Sequence, residues 1–323
     1  VSRCFVTRQL PGQALERLGR RHEVKVWQGR LPPTPAELVK NAKPAEGLLT
    51  LLTDHVGSGV LEQLPHLRAI SNYAVGYDNI DLAAATKRDI PVGHTPDVLT
   101  NATADMTFAL LLATARRLPE ALKAAQAGDW VTWEPAMHLG HDVYGKTLGI
   151  IGFGRIGRAV AERAAGFKMR VLHASAREGL SEEVVRVLRA SDFVSLHCPL
   201  SPETFHLINA AALNHMRRDA ILINTARGPI VDQAALREAL ELGRIAGAAL
   251  DVTDPEPLPP GDPLLTTPNV VITPHIGSAT RAARERMADM AVDNLLAGLE
   301  GRPMPHQANP GADSGPGLTA EAP

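Results

Sequence analysis

The chain has 323 residues, 45% hydrophobic and 21% charged, enough for one large domain or two. Its 33 basic and 35 acidic residues give a formal charge of -2 with no basic tract, which argues against nucleic acid or an anionic membrane as partner. Cys4 and Cys198 make neither a disulfide framework nor a zinc site, no apolar run reaches the roughly 18 residues of a membrane span, and Val1 to Leu10 lacks a leader pattern, so a cytoplasmic protein without a metal is the expectation.

Short β-branched runs then alternate with helical patterns. The spacing predicts strands at 4–7, 24–27, 47–52, 67–74 and 91–94, separated by helices at 13–18, 35–41, 59–64 and 81–87. Such alternation defines a parallel sheet covered on both faces. Asn101 to Asp105 has the form of a helix start, and the apolar stretch Met106 to Ala115 surrounds the helix axis, predicting burial on all sides between domains or subunits. A second series predicts strands at 147–151, 170–173, 193–197, 220–224, 245–250 and 270–273, then a helix over 282–299 closed by Gly301. The fold class is therefore α/β with two doubly wound parallel-sheet domains. Residues 1–98 with 283–304 form a discontinuous first domain around a second at 99–282, and the Gly-, Pro- and Ala-rich 305–323 is expected to be a disordered tail.

Gly152-Phe-Gly154-Arg155-Ile156-Gly157 follows the strand ending at Ile151 and opens a helical pattern at Arg158. In that order the first glycine permits the turn, the second lets backbone approach a pyrophosphate, and the third allows close helix packing. A lone G-x-G-x-x-G is a weak signal, but the full unit of 146–175 has the length of a βαβ dinucleotide motif. After the second strand, the acidic residue that accepts the adenosine ribose hydroxyls in NAD enzymes is missing. His173-Ala-Ser175-Ala-Arg177 stands there instead, with a guanidinium able to pair with a 2′-phosphate, so NADP is the expected cofactor, with NAD as the alternative.

Three later strands run into polar endings: Thr225-Ala226-Arg227-Gly228, Asp251 to Pro257, and Pro274-His275-Ile-Gly277-Ser278. All lie at the carboxyl edge of the sheet that carries the glycine loop, where open parallel sheets bind ligands. The residue types suit reduction of a 2-keto acid. Arg227 supplies a forked cation for the substrate, His275 a proton donor, and Glu256 a carboxylate that holds the imidazole. Each of the three could also be an ordinary loop residue; their convergence carries the reading.

The chain resembles the D-isomer-specific 2-hydroxyacid dehydrogenases, in particular their glyoxylate reductase/hydroxypyruvate reductase (glycerate dehydrogenase) branch. The matching blocks include Val75-Gly-Tyr-Asp-Asn-Ile-Asp81, Thr95-Pro-Asp-Val-Leu-Thr100, the glycine loop, Asn224-Thr-Ala-Arg-Gly228, Leu250 to Pro257 and Pro274 to Thr280. The resemblance implies a Rossmann cofactor domain, a flavodoxin-like substrate domain closing on it, and Arg227, Glu256 and His275 as catalytic residues. It implies that amides of the turn Ala74-Val75-Gly76 hold the substrate carboxylate, with Ser278 also at the substrate. Thr103, Pro199, Thr204, Thr225, Ala226, Asp251 and Gly277 would line the cofactor, beside the glycine loop, Ser175 and Arg177. A homodimer is also implied, in which Trp133 reaches the partner's site; ordinary interdomain packing is the plainer reading of Trp130 and Trp133. The activity implied is reduction of hydroxypyruvate to D-glycerate and of glyoxylate to glycolate. D-3-phosphoglycerate dehydrogenase and a non-enzymatic, NAD(H)-sensing corepressor remain open, whereas Glu256 disfavours formate dehydrogenase, which carries glutamine there.

Overall fold

The computed structural model describes residues 1–312, and the tail expectation for 313–323 lies outside the described residues. In chain order the elements are β1 (Arg3–Val6), α1 (Ala14–Gly19), β2 (Glu23–Val26), α2 (Pro35–Ala42), β3 (Gly47–Thr50), α3 (Ser58–Glu62), β4 (Ala69–Asn72), α4 (Leu82–Lys87), β5 (Val92–Gly93), α5 (Thr100–Ala115) and α6 (Leu118–Ala127). They continue as β6 (Thr147–Ile151), α7 (Arg155–Gly166), β7 (Arg170–Ala174), α8 (Glu182–Ala190), β8 (Phe193–Leu196), α9 (Ala210–His215), β9 (Ile221–Asn224), α10 (Gln233–Glu241), β10 (Gly247–Leu250), β11 (Val270–Ile272) and α11 (Arg281–Leu299). The chain divides into two compact units, Val1–Leu99 with the chain from Thr280, and Thr100–Ala279.

In the first unit five parallel strands take the order β2-β1-β3-β4-β5, which reverses direction between β1 and β3. Its central strands are buried on both faces: β3 (GLLT) and β4 (AISN) have no exposed residue. Thr34 and Glu37 form a reciprocal capping box that starts α2, and Asp81 caps α4 through the amide of Ala84. The long α11, capped by Thr280, packs on β3, β4, β5 and α1.

Residues 305–312, which composition assigns to a disordered tail, are instead tied to this unit. Gln307 bridges Gly93, Ala308 N donates to Val92 O at 2.7 Å, and His94 N donates to His306 O at 3.0 Å. Buried Asn309 accepts from Val92 N at 2.8 Å and donates to Thr86 Oγ1 and Ile90 O, both at 3.0 Å. Backbone pairing and one asparagine hold a segment that is poor in large apolar groups.

The second unit carries six parallel strands in the order β11-β10-β9-β8-β6-β7, and its direction reverses between β6 and β8. The expected double winding is therefore present in both units. Helices α8, α9 and α10, which hydrophobic alternation alone leaves unassigned, begin at Ser181, Asn209 and Asp232; each side chain accepts the amide three residues on. Helix α5 is buried along most of its length. It buries Thr103, Ala104, Thr107, Phe108, Leu110, Leu111, Thr114 and Ala115, but Asn101, Asp105 and Ala109 form an exposed strip. Arg163 of α7 pairs with the rim of that strip, its Nε 2.6 Å from Asp105 Oδ1.

Candidate active site

The glycine loop lies at the direction reversal of the second sheet. Gly152 has φ +93°, and a Cβ there would stand 2.5 Å from Cys198 N, so this position admits only glycine. A Cβ on Gly157 would meet Gly152 O at 2.4 Å, which holds α7 tight against the turn. Around Gly154, by contrast, nothing lies within 4 Å of a Cβ, and α7 begins there with no side-chain cap. Its first-turn amides are thus offered, at the positive helix end, to an anion entering beside Arg155 and Ile156. The residues present fit the pyrophosphate of a dinucleotide.

At the end of β7, Ser175 and Arg177 are exposed, and Arg177 N donates to Ser175 Oγ at 3.3 Å. Phe153 stacks on His173 with centroids 4.1 Å apart, and the Arg158 guanidinium lies 5.1 Å from the Phe153 centroid. One expectation needs correcting here. The segment His173 to Arg177 carries no carboxylate, yet exposed Glu178 follows it directly and Glu183 of α8 reaches back so that its Oε2 accepts from Ser175 N at 3.5 Å.

The three polar loops at the carboxyl edge pack against one another. Asn224 ends β9 and shapes the first: its Oδ1 accepts from Ala226 N at 3.0 Å and its Nδ2 donates to Arg227 O at 2.8 Å. Gly228 seats this loop on the next, since a Cβ there would fall 1.9 Å from Thr253 O. His275 Nδ1 lies 2.5 Å from Glu256 Oε1, with the two side chains 23% and 32% exposed. The histidine has φ +54°, and its amide donates to Asp251 O at 2.9 Å. Asp251 itself is buried. Its Oδ1 accepts from Thr273 Oγ1 at 2.6 Å and Ile276 N at 2.8 Å, and its Oδ2 accepts from Gly277 N at 2.6 Å. The carboxylate that the resemblance sets near the nicotinamide thus also fastens the histidine loop on both sides, a task that spacing in the sequence does not reveal.

Thr103, Thr225, Asp251 and Gly277 are brought together. Thr107 Oγ1 bonds Thr103 O at 2.9 Å and Thr225 Oγ1 at 3.0 Å, and a Cβ on Gly277 would lie 3.0 Å from Asp251 Oδ2 and 3.6 Å from Thr103 Cγ2. Thr204 is buried, its hydroxyl donating to Pro199 O at 2.7 Å and accepting from Ser201 N at 2.8 Å, which shapes the Pro199 loop. Ala226 and Ser278 are half-buried. Trp133 and Trp130 are 73% and 65% exposed. Among the described residues no cluster of three His, Cys, Asp or Glu could hold a metal, and no helix is long and apolar enough to cross a membrane. Burial pushes the Cys4 thiol up to about 12 and Cys198 to about 11, which leaves neither a thiolate nucleophile.

In the first unit the turn after β4 holds Ala74, which is buried, and Val75 and Gly76, which are half-buried. Their amides donate to no backbone carbonyl among the described residues.

Comparison with known proteins agrees with this geometry. Residues 108–277 match the model of the D-isomer specific 2-hydroxyacid dehydrogenase, NAD binding domain. A curated glyoxylate reductase of Korarchaeum cryptofilum is 49% identical over 317 residues, covering 95% of this chain and 96% of the relative. The TT0316 protein of Thermus thermophilus superposes with a TM-score of 0.89 at 52% identity, covering 95% of this chain and 99% of its own. An NADPH-dependent glyoxylate/hydroxypyruvate reductase of Sinorhizobium meliloti, solved with NADP and malonate, gives 0.86 at 33% identity, covering 98% of this chain and 99% of its own. The chain belongs to the D-isomer-specific 2-hydroxyacid dehydrogenases and is an oxidoreductase that uses a nicotinamide cofactor.

Proposed function

We propose that this enzyme reduces small 2-keto acids, glyoxylate to glycolate and hydroxypyruvate to D-glycerate, with NADPH as the preferred cofactor. The observation that carries the reading is the 2.5 Å His275–Glu256 pair at the same sheet edge as the dinucleotide loop. Glu256 accepts from Nδ1–H, which fixes the tautomer and orientation of the ring. His275 then gives the proton on Nε2 to the carbonyl oxygen as that oxygen becomes a hydroxyl. When bound, the reduced nicotinamide supplies the hydride to the carbonyl carbon. Arg227 polarises the keto oxygen and pairs with the carboxylate, to which the amides of the turn at Val75 and Gly76 also donate. In the reverse direction the neutral imidazole accepts the proton.

The name of the Korarchaeum cryptofilum relative supports glyoxylate, and the Sinorhizobium meliloti enzyme supports hydroxypyruvate and NADPH. Exposed Ser175 and Arg177 give a 2′-phosphate a hydroxyl and a guanidinium, against the opposing charge of Glu183. A homodimer is supported by the segment after α5. Helix α6 buries no residue, while Leu118, Leu122, Trp130, Val131, Trp133 and Leu139 all lie exposed, a patch that suits a second copy of the chain. Two free, buried cysteines suit a reducing cytoplasm.

A panel of small 2-keto acids, 3-phosphohydroxypyruvate included, with NADPH and NADH tests substrate and cofactor together. Oxidation of NADPH by glyoxylate and hydroxypyruvate, with the preference moving toward NADH in Arg177→Asp, is the expected result. No turnover with either substrate defeats the proposal, and a cofactor ratio unmoved by Arg177→Asp defeats its NADPH part.

A further inference from the structure

We propose that His94 is a positioning residue for substrate binding: its imidazole fixes the peptide plane that aims the Gly76 amide at the substrate carboxylate. The inference deepens the reading of the 74–76 turn given above and rests on it.

The argument starts from the planarity of the peptide group, in which the C=O of one residue and the N–H of the next point in opposite directions. Pinning a carbonyl oxygen on one side therefore orients the following amide toward the other. Each carbonyl of the turn is pinned by a different group. Ala74 O accepts from Thr95 N at 2.8 Å, which orients the amide of Val75. Val75 O lies 2.9 Å from His94 Nδ1, and because a carbonyl can only accept, Nδ1 carries the hydrogen; this bond orients the amide of Gly76. Gly76 O accepts from Asn72 Nδ2 at 2.9 Å, which closes the far end of the turn. The result is a run of fixed carbonyls, two of which set the planes of the Val75 and Gly76 amides, a donor set suited to a carboxylate.

The surroundings of His94 hold the ring in place. Its backbone is fixed twice, by His306 O accepting from His94 N at 3.0 Å and by Asn294 Nδ2 donating to His94 O at 2.8 Å. Its ring meets Tyr77 edge-on with centroids 5.4 Å apart. Asn72 is fully buried, and its Nδ2 also donates to Asn79 Oδ1 at 3.0 Å, while Asn79 in turn donates to Leu51 O at 3.0 Å and Asp54 O at 2.9 Å. The strap of residues at 306–309 thereby contributes to the turn through the backbone of His94.

The test uses the full chain with NADPH, H94F to keep a ring without the Nδ1 donor, and H94N to restore an N–H near the same place. Steady-state kinetics with glyoxylate and inhibition by oxamate, a non-reducible carboxylate, are read beside the KM for NADPH. H94F is expected to raise the glyoxylate KM and the oxamate inhibition constant together by roughly tenfold, the scale of one lost hydrogen bond. The NADPH KM should stay unchanged, and H94N should recover most of the loss. Constants within twofold of the parent, or an equal loss in NADPH affinity, overturn the inference. If H94F does not fold, Tyr77→Leu removes the ring against which the imidazole rests and must raise the glyoxylate KM in the same selective way; an unmoved KM there overturns it equally. A parent enzyme that neither reduces glyoxylate nor binds oxamate removes the reading of the turn, and this inference with it.

Discussion

Replacing Asp251 with asparagine changes one atom and leaves the volume almost unaltered, so its effect isolates hydrogen bonding. The buried carboxylate accepts three bonds, from Thr273 Oγ1, Ile276 N and Gly277 N. An asparagine has one acceptor oxygen. Directed at Thr273 and Ile276, that oxygen leaves the amide nitrogen facing the N–H of Gly277, two donors where the parent has a bond of 2.6 Å. Turned over, the amide faces the N–H of Ile276 instead. Either way at least one charge-assisted bond in a buried place is replaced by a donor facing a donor, a loss of about 3 kcal/mol. For a unit of this size that corresponds to a melting temperature lower by roughly 6 to 12 °C. Calorimetry or circular dichroism of Asp251→Asn measures the shift, and turnover measured well below the melt should fall as well, because the His275 loop loses its fastening. A variant that melts within about 2 °C of the parent refutes the assignment of Asp251 as the loop's anchor.

Gly228→Ala puts a methyl group 1.9 Å from Thr253 O, backbone against backbone, and is expected to cost at least the ~1–3 kcal/mol of overpacking and to lower turnover by parting Arg227 from the Glu256 loop; a parent-like melt and rate would contradict this. Burial pushes His197 down to about 3 from its ordinary 6.5. Because the unfolded chain then binds the extra proton, stability is present in full above pH 6.5 and declines as pH falls toward 3. Urea denaturation at several pH values should show this decline reduced in His197→Gln, and an identical slope would remove His197 as its source. Trp130→Ser combined with Trp133→Ser strips two exposed rings from the proposed dimer surface, so sedimentation at a fixed concentration should show dissociation toward monomer; an unchanged distribution of the parent and the variant would count against that surface.

The alternation of β-branched runs with helical patterns was enough to read the parallel sheets, because strands such as Leu148 to Ile151 are buried on both faces and carry an uninterrupted apolar signature. Strand order was not legible in the same way, since nothing local to β8 says that it returns to the other side of β6. The glycine loop could be read residue by residue because each glycine answers a separate steric demand, including the open space at Gly154. His275 and Glu256 were legible from type and from position at strand ends, although they lie in different loops. What stayed hidden depends on pairs distant in sequence but joined in space. Glu183 approaches Ser175 across the β7–α8 connection, Asn309 closes on β5 from the far end of the chain, and His94 meets the carbonyl of Val75. The local bonds of Thr204 to Pro199 and Ser201 were likewise not legible from its spacing in the sequence.

The central claim is that His275, held by Glu256, moves the proton. The most direct measurement is the turnover number of His275→Gln with saturating glyoxylate and NADPH, taken together with NADPH binding by fluorescence titration. The account predicts turnover lower by roughly 10²- to 10⁴-fold with NADPH affinity unchanged. Turnover within a few-fold of the parent, on an enzyme that still binds NADPH, would contradict it.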